Sequence, residues 1–337
     1  MNLPFLSKLP NKRAHMQLVE QELQQIRKLI EEQVSCFTPA VIPYMRQVCK
    51  GQGKMLRPGL VLLTAAATGG IKPEHRKYAA ILEMIHMASL VHDDVLDKAD
   101  TRRDIPTANA LWGNNLAVLL GDVLFSQAML MGAKLGDDDF GSRMAMVVRD
   151  LCQGEVEQST RLWDVKMSRE DYYRLIRMKT ATLFSAAMEG AGRLQGLPDE
   201  QIADLHRMGD LLGVSYQIYD DCLDISGLDA AAGKTLGTDA EKGKLTLPIF
   251  LLMESDDESV ATYVKQCIAD KEAIDFSRIR NSIGFDQALR ATIAEGCACN
   301  DEALSLLTKL PASTARKALA EMIARLDAML RAQGPQI

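Results

Sequence analysis

Apolar residues recur at three- and four-residue intervals along most of this chain, and that spacing predicts helices. Leu18, Leu23, Ile26, Leu29 and Ile30 open the pattern, and the segments 74–97, 114–135, 169–195, 199–225 and 312–332 repeat it. No convincing strand pattern competes with them. Between sparse Pro and Gly the segments are rich in Ala, Leu, Met, Glu, Gln and Arg, which lose least on entering a helix. Pro198-Asp199-Glu200 supplies a helix start with acid in its first turn, while Gly113-Asn114, Gly136-Asp137 and Gly196-Leu197-Pro198 close the helices before them. The expected architecture is all-α: one large domain over 1–337, of about a dozen helices, with no Ser/Gly-rich linker and no shift of composition to divide it. The segment 226–247 stands apart. Its Gly227, Gly233, Gly237 and Gly243, set among Lys234, Lys242 and Lys244, read as a mobile loop carrying cations.

Composition narrows the function classes. With 47% hydrophobic and 25% charged residues in 337, the chain is an ordinary folded one, neither disordered nor fibrous. A net charge of -6 argues against a nucleic-acid or anionic-membrane binder, so any anion site must be local. The seven cysteines are scattered and nowhere spaced CxxC, which suggests neither zinc nor disulfides and fits a reducing cytoplasm. The start has no long apolar run, and no later one approaches the roughly 18–20 residues that span a bilayer, so neither secretion nor stable membrane insertion is expected.

One short pattern recurs. His92-Asp93-Asp94-Val95-Leu96-Asp97 and Tyr219-Asp220-Asp221-Cys222-Leu223-Asp224 both carry D-D-x-L-D at the end of apolar helical segments. Residues i and i+4 share a helix face, so Asp93 points with Asp97 and Asp220 with Asp224. Like charges at that spacing destabilise a helix, and burying them costs more, so a structural helix gains nothing from the arrangement. A divalent cation reverses the sign. Magnesium favours carboxylates together with water and phosphate oxygens, so two such faces suit a diphosphate held through Mg²⁺. Direct cations for a diphosphate stand nearby: Arg102 and Arg103 after the first motif, Lys234 and Lys244 after the second, with Lys54 and Arg57 as a third basic group.

Gly53-Lys54-Met55-Leu56-Arg57-Pro58, the run from His86 to Asp97, and Asp100-Thr101-Arg102-Arg103 resemble the first half of the trans-isoprenyl diphosphate synthases, or polyprenyl synthetases. Lys179-Thr180-Ala181, the run from Tyr216 to Asp224, Gly233-Lys234 and Gly243-Lys244-Leu245-Thr246-Leu247-Pro248 resemble that family's later motifs, in the same order. The similarity covers about 50–250; the ends contribute helical pattern only. It implies an all-α isoprenoid synthase-type bundle around a central cavity, usually a homodimer, holding an allylic diphosphate through Mg²⁺. Carried over position by position, Asp93, Asp94, Asp97, Asp220, Asp221 and Asp224 are the metal ligands. Arg102, Lys179, Thr180, Gln217, Lys234 and Lys244 contact the allylic substrate, and Lys54, Arg57, His86 and Arg103 bind isopentenyl diphosphate. The catalytic set on this reading is Asp93, Asp94, Asp97, Lys179, Asp220, Asp221 and Lys234.

Small residues one turn before Asp93, Ala88 and Ser89, leave room for a growing hydrocarbon, where short-chain members of the family place bulky aromatics. The expectation is a medium- or long-chain synthase, with quinone side chains as a natural use of its product. A geranylgeranyl diphosphate synthase and a partner-dependent subunit of a heterodimer are the alternatives. Two positions depart from the family pattern: Asp104 follows Arg103 where glycine is usual, and Tyr216 stands where phenylalanine is common. A carboxylate at 104 can compete for the Arg103 guanidinium.

Overall fold

The computed structural model describes residues 14–50, 53, 55–103, 105–135, 138–226 and 237–334. In chain order they form α1 (Ala14–Val34), α2 (Ile42–Lys50), α3 (Leu56–Thr68), α4 (Pro73–Leu96), β1 (Thr101–Arg102), β2 (Ile105–Pro106), α5 (Ala108–Trp112) and α6 (Asn114–Ala133). These are followed by α7 (Asp138–Thr160), α8 (Arg169–Ile176), a π-helical segment (Arg177–Ala181), α9 (Thr182–Gln195) and α10 (Asp199–Ser226). After these come α11 (Thr238–Glu241), α12 (Leu247–Met253), α13 (Glu258–Asp270), α14 (Ile283–Leu307) and α15 (Thr314–Arg331). The all-α expectation holds, and four of the five periodic segments become single helices within a few residues of their predicted ends.

The chain divides into two compact units of interleaved sequence. The first takes 1–149, 183–206 and 310–319. Its centre is α4, started by Pro73 in the first turn, where a missing N–H costs nothing. Tyr78, Ile81, Leu82, Ile85 and Ala88 are buried along it, and α6 and α3 pack against it. Burying each large aliphatic side chain contributes roughly 1.5–3 kcal/mol. The buried Tyr78 hydroxyl donates to the Ala186 carbonyl of α9.

The second unit takes 150–182, 207–309 and 320–337. Ile218 and Cys222 of α10, Leu247, Ile249, Phe250 and Leu252 of α12, Val264 of α13, Phe285 and Leu289 of α14 and Leu330 of α15 form its core. An Asp257 side chain caps α13 and a Ser282 hydroxyl caps α14 by accepting from first-turn N–H groups.

Four features differ from the sequence reading. The segment 169–195 is not one α-helix, because a π-helical turn at Arg177–Ala181 interrupts it. Strands do occur: β1 and β2 pair antiparallel, Thr101 with Pro106 and Arg102 with Ile105, too briefly for any alternating pattern. The segment 226–247 contains a helical turn, α11, while 227–236 lie outside the described residues. Finally, α6 is long and apolar enough to cross a membrane by length and composition, and only about a third of it is buried. Gly121, Asp122, Ser126 and Gln127 break its apolar residues into short runs, which hid it from a search for one continuous stretch.

Candidate active site

In the first unit α4 presents Asp93 and Asp97 half-buried on one face, with the Asp97 N–H bonded to the Asp93 carbonyl at 2.7 Å. Asp94 points elsewhere: it is 6% exposed and accepts from Arg102 Nε at 2.8 Å. The β1–β2 ribbon delivers that arginine, and at its turn Arg103 takes a left-handed φ of 53°, unusual for a residue with a side chain. Residue 104, where glycine was missed, lies outside the described residues. A Cβ on Gly53 would sit 2.6 Å from Arg103 Nη1, so the backbone just before position 54 lies against that guanidinium. Lys54 itself is outside the described residues. The Arg57 guanidinium stacks 5.1 Å from the Phe184 ring centroid.

His86 stands two to three turns before the aspartates. Burial, then the positive charges of Arg57, Arg103 and Arg102, push its pKa well below the ordinary histidine range, so it is neutral in this setting. Its carbonyl accepts from the Ser89 hydroxyl at 2.9 Å. Ala88 is fully buried and Ser89 half-buried, both small as the sequence required. Glu83, one turn before His86 and 1% exposed, escaped the sequence reading. Burial pushes its carboxyl upward while Arg57, Arg103 and Arg27 oppose the shift. Its signal was a lone charge inside the apolar run Ala79–Val91. Beside the Asp94–Arg102 pair an apolar pocket opens, lined by Met87, Leu90, Val91, Ile105, Leu111 and Trp112.

In the second unit the π-helical turn sets Lys179 and Thr180; such turns cluster at functional positions. The turn fits because α10 offers Gly213 there, where any Cβ would lie 2.3 Å from the Ala181 Cα. Thr180 Oγ1 donates to Gln217 Oε1 at 2.6 Å, and Gln217 Nε2 donates to Asp221 Oδ1 at 2.9 Å. Tyr172 Oη donates to Asp221 Oδ2 at 2.6 Å. Lys179 pairs with Glu155 at 2.5 Å and donates to Gln158. Lys244 pairs with Asp239 at 3.3 Å. Before it, Gly243 has a φ of 77°, and a Cβ there would strike the Trp163 indole at 2.3 Å, so only glycine holds this turn.

Lys179, Thr180, Gln217, Asp221 and Lys244 thus line one pocket, joined by Tyr172, Arg161 and Asp239. The last three were missed. Asp239 could have been suspected as an acid between the two Gly-Lys pairs, whereas nothing in the sequence distinguishes Tyr172 from a core tyrosine. Asp221 is 2% exposed, and burial, with Asp239 adding, pushes its pKa up to about 7 against the Tyr172 and Gln217 hydrogen bonds. Asp224 accepts from Thr238 N and Oγ1 at 3.0 Å and from Asp239 N at 3.2 Å, tying the far side of the 227–236 segment to α10. Asp220 is half-buried. Lys234 lies outside the described residues.

Among the described residues no three acidic, histidine or cysteine side chains converge on a ready metal cage. The donors are carboxylates with little else, a set that suits a hard divalent ion taking its remaining oxygens from water and a phosphate. Asp94, Asp221 and Asp224 also have protein partners, and these fix where the neighbouring carboxylates stand.

Comparison with known proteins identifies the family. Residues 39–283 match the polyprenyl synthetase family. Solanesyl diphosphate synthase 2 of Arabidopsis thaliana chloroplasts is 34% identical over 316 residues, covering 91% of this chain and 74% of that one. The crystal structure of a decaprenyl diphosphate synthase from Rhodobacter capsulatus superposes with a TM-score of 0.86 at 33% identity, covering 94% and 98%. That of a polyprenyl synthase from Caulobacter crescentus, complexed with calcium and isoprenyl diphosphate, gives 0.84 at 30% identity, covering 97% and 98%. The chain belongs to the polyprenyl synthetase family and is a prenyltransferase of the medium- or long-chain type.

Proposed function

We propose that this is a Mg²⁺-dependent all-trans polyprenyl diphosphate synthase that condenses isopentenyl diphosphate with an allylic diphosphate. The observation that carries the reading is the convergence of Lys179, Thr180, Gln217, Asp221 and Lys244 on one pocket, the residues the family motifs assign to the allylic substrate. Half-exposed Asp93, Asp97 and Asp220 present carboxylates to metal ions, and Asp94, Asp221 and Asp224 join the set while fixing its surroundings. Bound Mg²⁺ supplies positive charge against a departing diphosphate. Lys179 and Lys244 add fixed cations where that charge builds up, with Arg102 and Lys234 assigned by carry-over from the motifs. Arg57, His86 and Arg103, with Lys54 likewise carried over, hold isopentenyl diphosphate so that its double bond meets the allylic carbocation. A neutral His86 orients the substrate by hydrogen bonding. Loss of a proton, accepted by the released diphosphate, completes a chain one isoprene unit longer.

The small Ala88 and Ser89 fit a product longer than C20, and a quinone side chain is the natural use of that product. The test is incubation of the purified chain with Mg²⁺, isopentenyl diphosphate and, separately, dimethylallyl, geranyl and farnesyl diphosphates, with mass spectrometry of the dephosphorylated products. A series of C25 or longer that disappears with EDTA is expected. A product stopping at C20 overturns the chain length, and no product from folded protein overturns an enzyme that works alone.

The protein acts in the cytoplasm as a homodimer on this reading. Support for the dimer comes from α6, whose only charged residue is Asp122 and which leaves Leu119 58% and Leu130 49% exposed. A second copy covering that face removes the apolar surface from water. Light scattering is expected to give twice 37.1 kDa for the wild type and once that mass for Leu119→Glu. A monomeric wild type, or one that stays dispersed only in detergent, overturns the dimer.

A further inference from the structure

The residue that most needs a function is Tyr172. It is 2% exposed, and its ring meets Phe250 and Tyr173 edge to face at centroid distances of 6.2 and 5.3 Å. A ring held on two sides places its hydroxyl rigidly. That hydroxyl donates to one oxygen of Asp221, whose other oxygen accepts from Gln217, whose own carbonyl oxygen accepts from Thr180. Every group in this chain is thereby oriented: the Gln217 amide cannot flip without losing both a donor and an acceptor contact.

We propose that Tyr172 is a positioning residue for the allylic diphosphate pocket, acting through Asp221 on Gln217 and Thr180 rather than by touching substrate. This rests on the reading of that pocket given above. Without the hydroxyl, Asp221 is free to rotate toward other donors, and Gln217 loses the acceptor that fixes its amide. The cost falls on the substrate that Gln217 and Thr180 contact, and the isopentenyl diphosphate side, served by Arg57, His86 and Arg103, is spared. A tyrosine that merely fills the core would show no such selectivity.

Tyr172→Phe keeps the ring and removes one oxygen. In the full chain its KM for the allylic diphosphate should rise about tenfold, the scale of one hydrogen bond to a charged group, while that for isopentenyl diphosphate stays within about twofold. The double variant Tyr172→Phe/Gln217→Leu should lose no more than Gln217→Leu alone, because both break one chain. Calorimetric binding of inorganic diphosphate with Mg²⁺ should weaken by a similar factor; this arm needs no turnover, so it separates failure of the positioning role from failure of the proposed reaction. Phe250→Leu loosens one of the two rings that hold Tyr172 and should show the same selectivity in smaller measure, which keeps the test sharp if Tyr172→Phe does not fold. Equal rises in both KM values, or losses that multiply in the double variant, overturn the assignment.

Discussion

Gly213→Ala should both destabilise the protein and disable it. A Cβ at this position of α10 would lie 2.3 Å from the Ala181 Cα and 2.7 Å from its Cβ, so main chain faces main chain and no flexible side-chain end can give way. Overpacking of a filled interior costs about 1–3 kcal/mol, and a rigid contact belongs at the upper end. The displaced element is the π-helical turn that carries Lys179 and Thr180. A shift of roughly 1 Å in substrate-positioning groups can lower a rate about a hundredfold, and that is the loss expected in kcat/KM for the allylic substrate. Urea unfolding and steady-state kinetics on the same preparation measure both. Adding Ala181→Gly should restore part of the stability, since it removes the 2.7 Å contact and leaves the 2.3 Å one. A Gly213→Ala variant with wild-type stability and rate would mean that the π turn is not wedged in place.

That wedge shows where sequence reasoning stops. Periodicity found the helices because each buries a stripe of apolar residues, as α4 does from Tyr78 to Ala88. The π turn stretches the buried spacing only once, from Ile176 to Ala181, too little to break the apolar pattern of 169–195. The paired aspartates were legible because two like charges on one helix face need a reason. Lys179, Thr180 and Gln217 were legible through family motifs, and the structure brings them together. Tyr172 and Asp239 were invisible for a physical reason: their meaning lies in long-range contacts to Asp221 and Lys244, which local pattern does not encode. Glu83 lies between, a charge in an apolar run whose reason appears only when Arg57, Arg103 and Arg27 surround it. The β1–β2 ribbon, two residues a strand, is set by the turn at Arg103 and has no periodicity to read.

Asp93→Asn and Asp94→Asn, adjacent and chemically identical changes, should separate activity from stability. Asp93 is half-buried and shares a helix face with Asp97, and asparagine keeps the side chain's shape and hydrogen-bonding capacity while relieving a like-charge repulsion worth about 0.2–0.5 kcal/mol. On the proposed reading it holds a metal ion whose charge opposes that developing on the departing diphosphate, where loss of one stabilising group costs roughly a hundred- to a thousandfold in kcat. Asp94 is different because its side chain is 8% exposed and paired with Arg102 at 2.8 Å. Its amide variant keeps a hydrogen bond but loses the charge opposite a guanidinium that is itself 38% exposed, so solvent softens the penalty to about 1–2 kcal/mol. Activity falls too, through a mispositioned Arg102. Unfolding midpoints, Mg²⁺ titrations of the rate and kcat for the two variants give the comparison: a large rate loss at unchanged stability for Asp93→Asn, and a joint loss for Asp94→Asn. Were Asp93→Asn the less stable protein and Asp94→Asn the one with only a metal defect, the assignment of the two carboxylates would have to be exchanged.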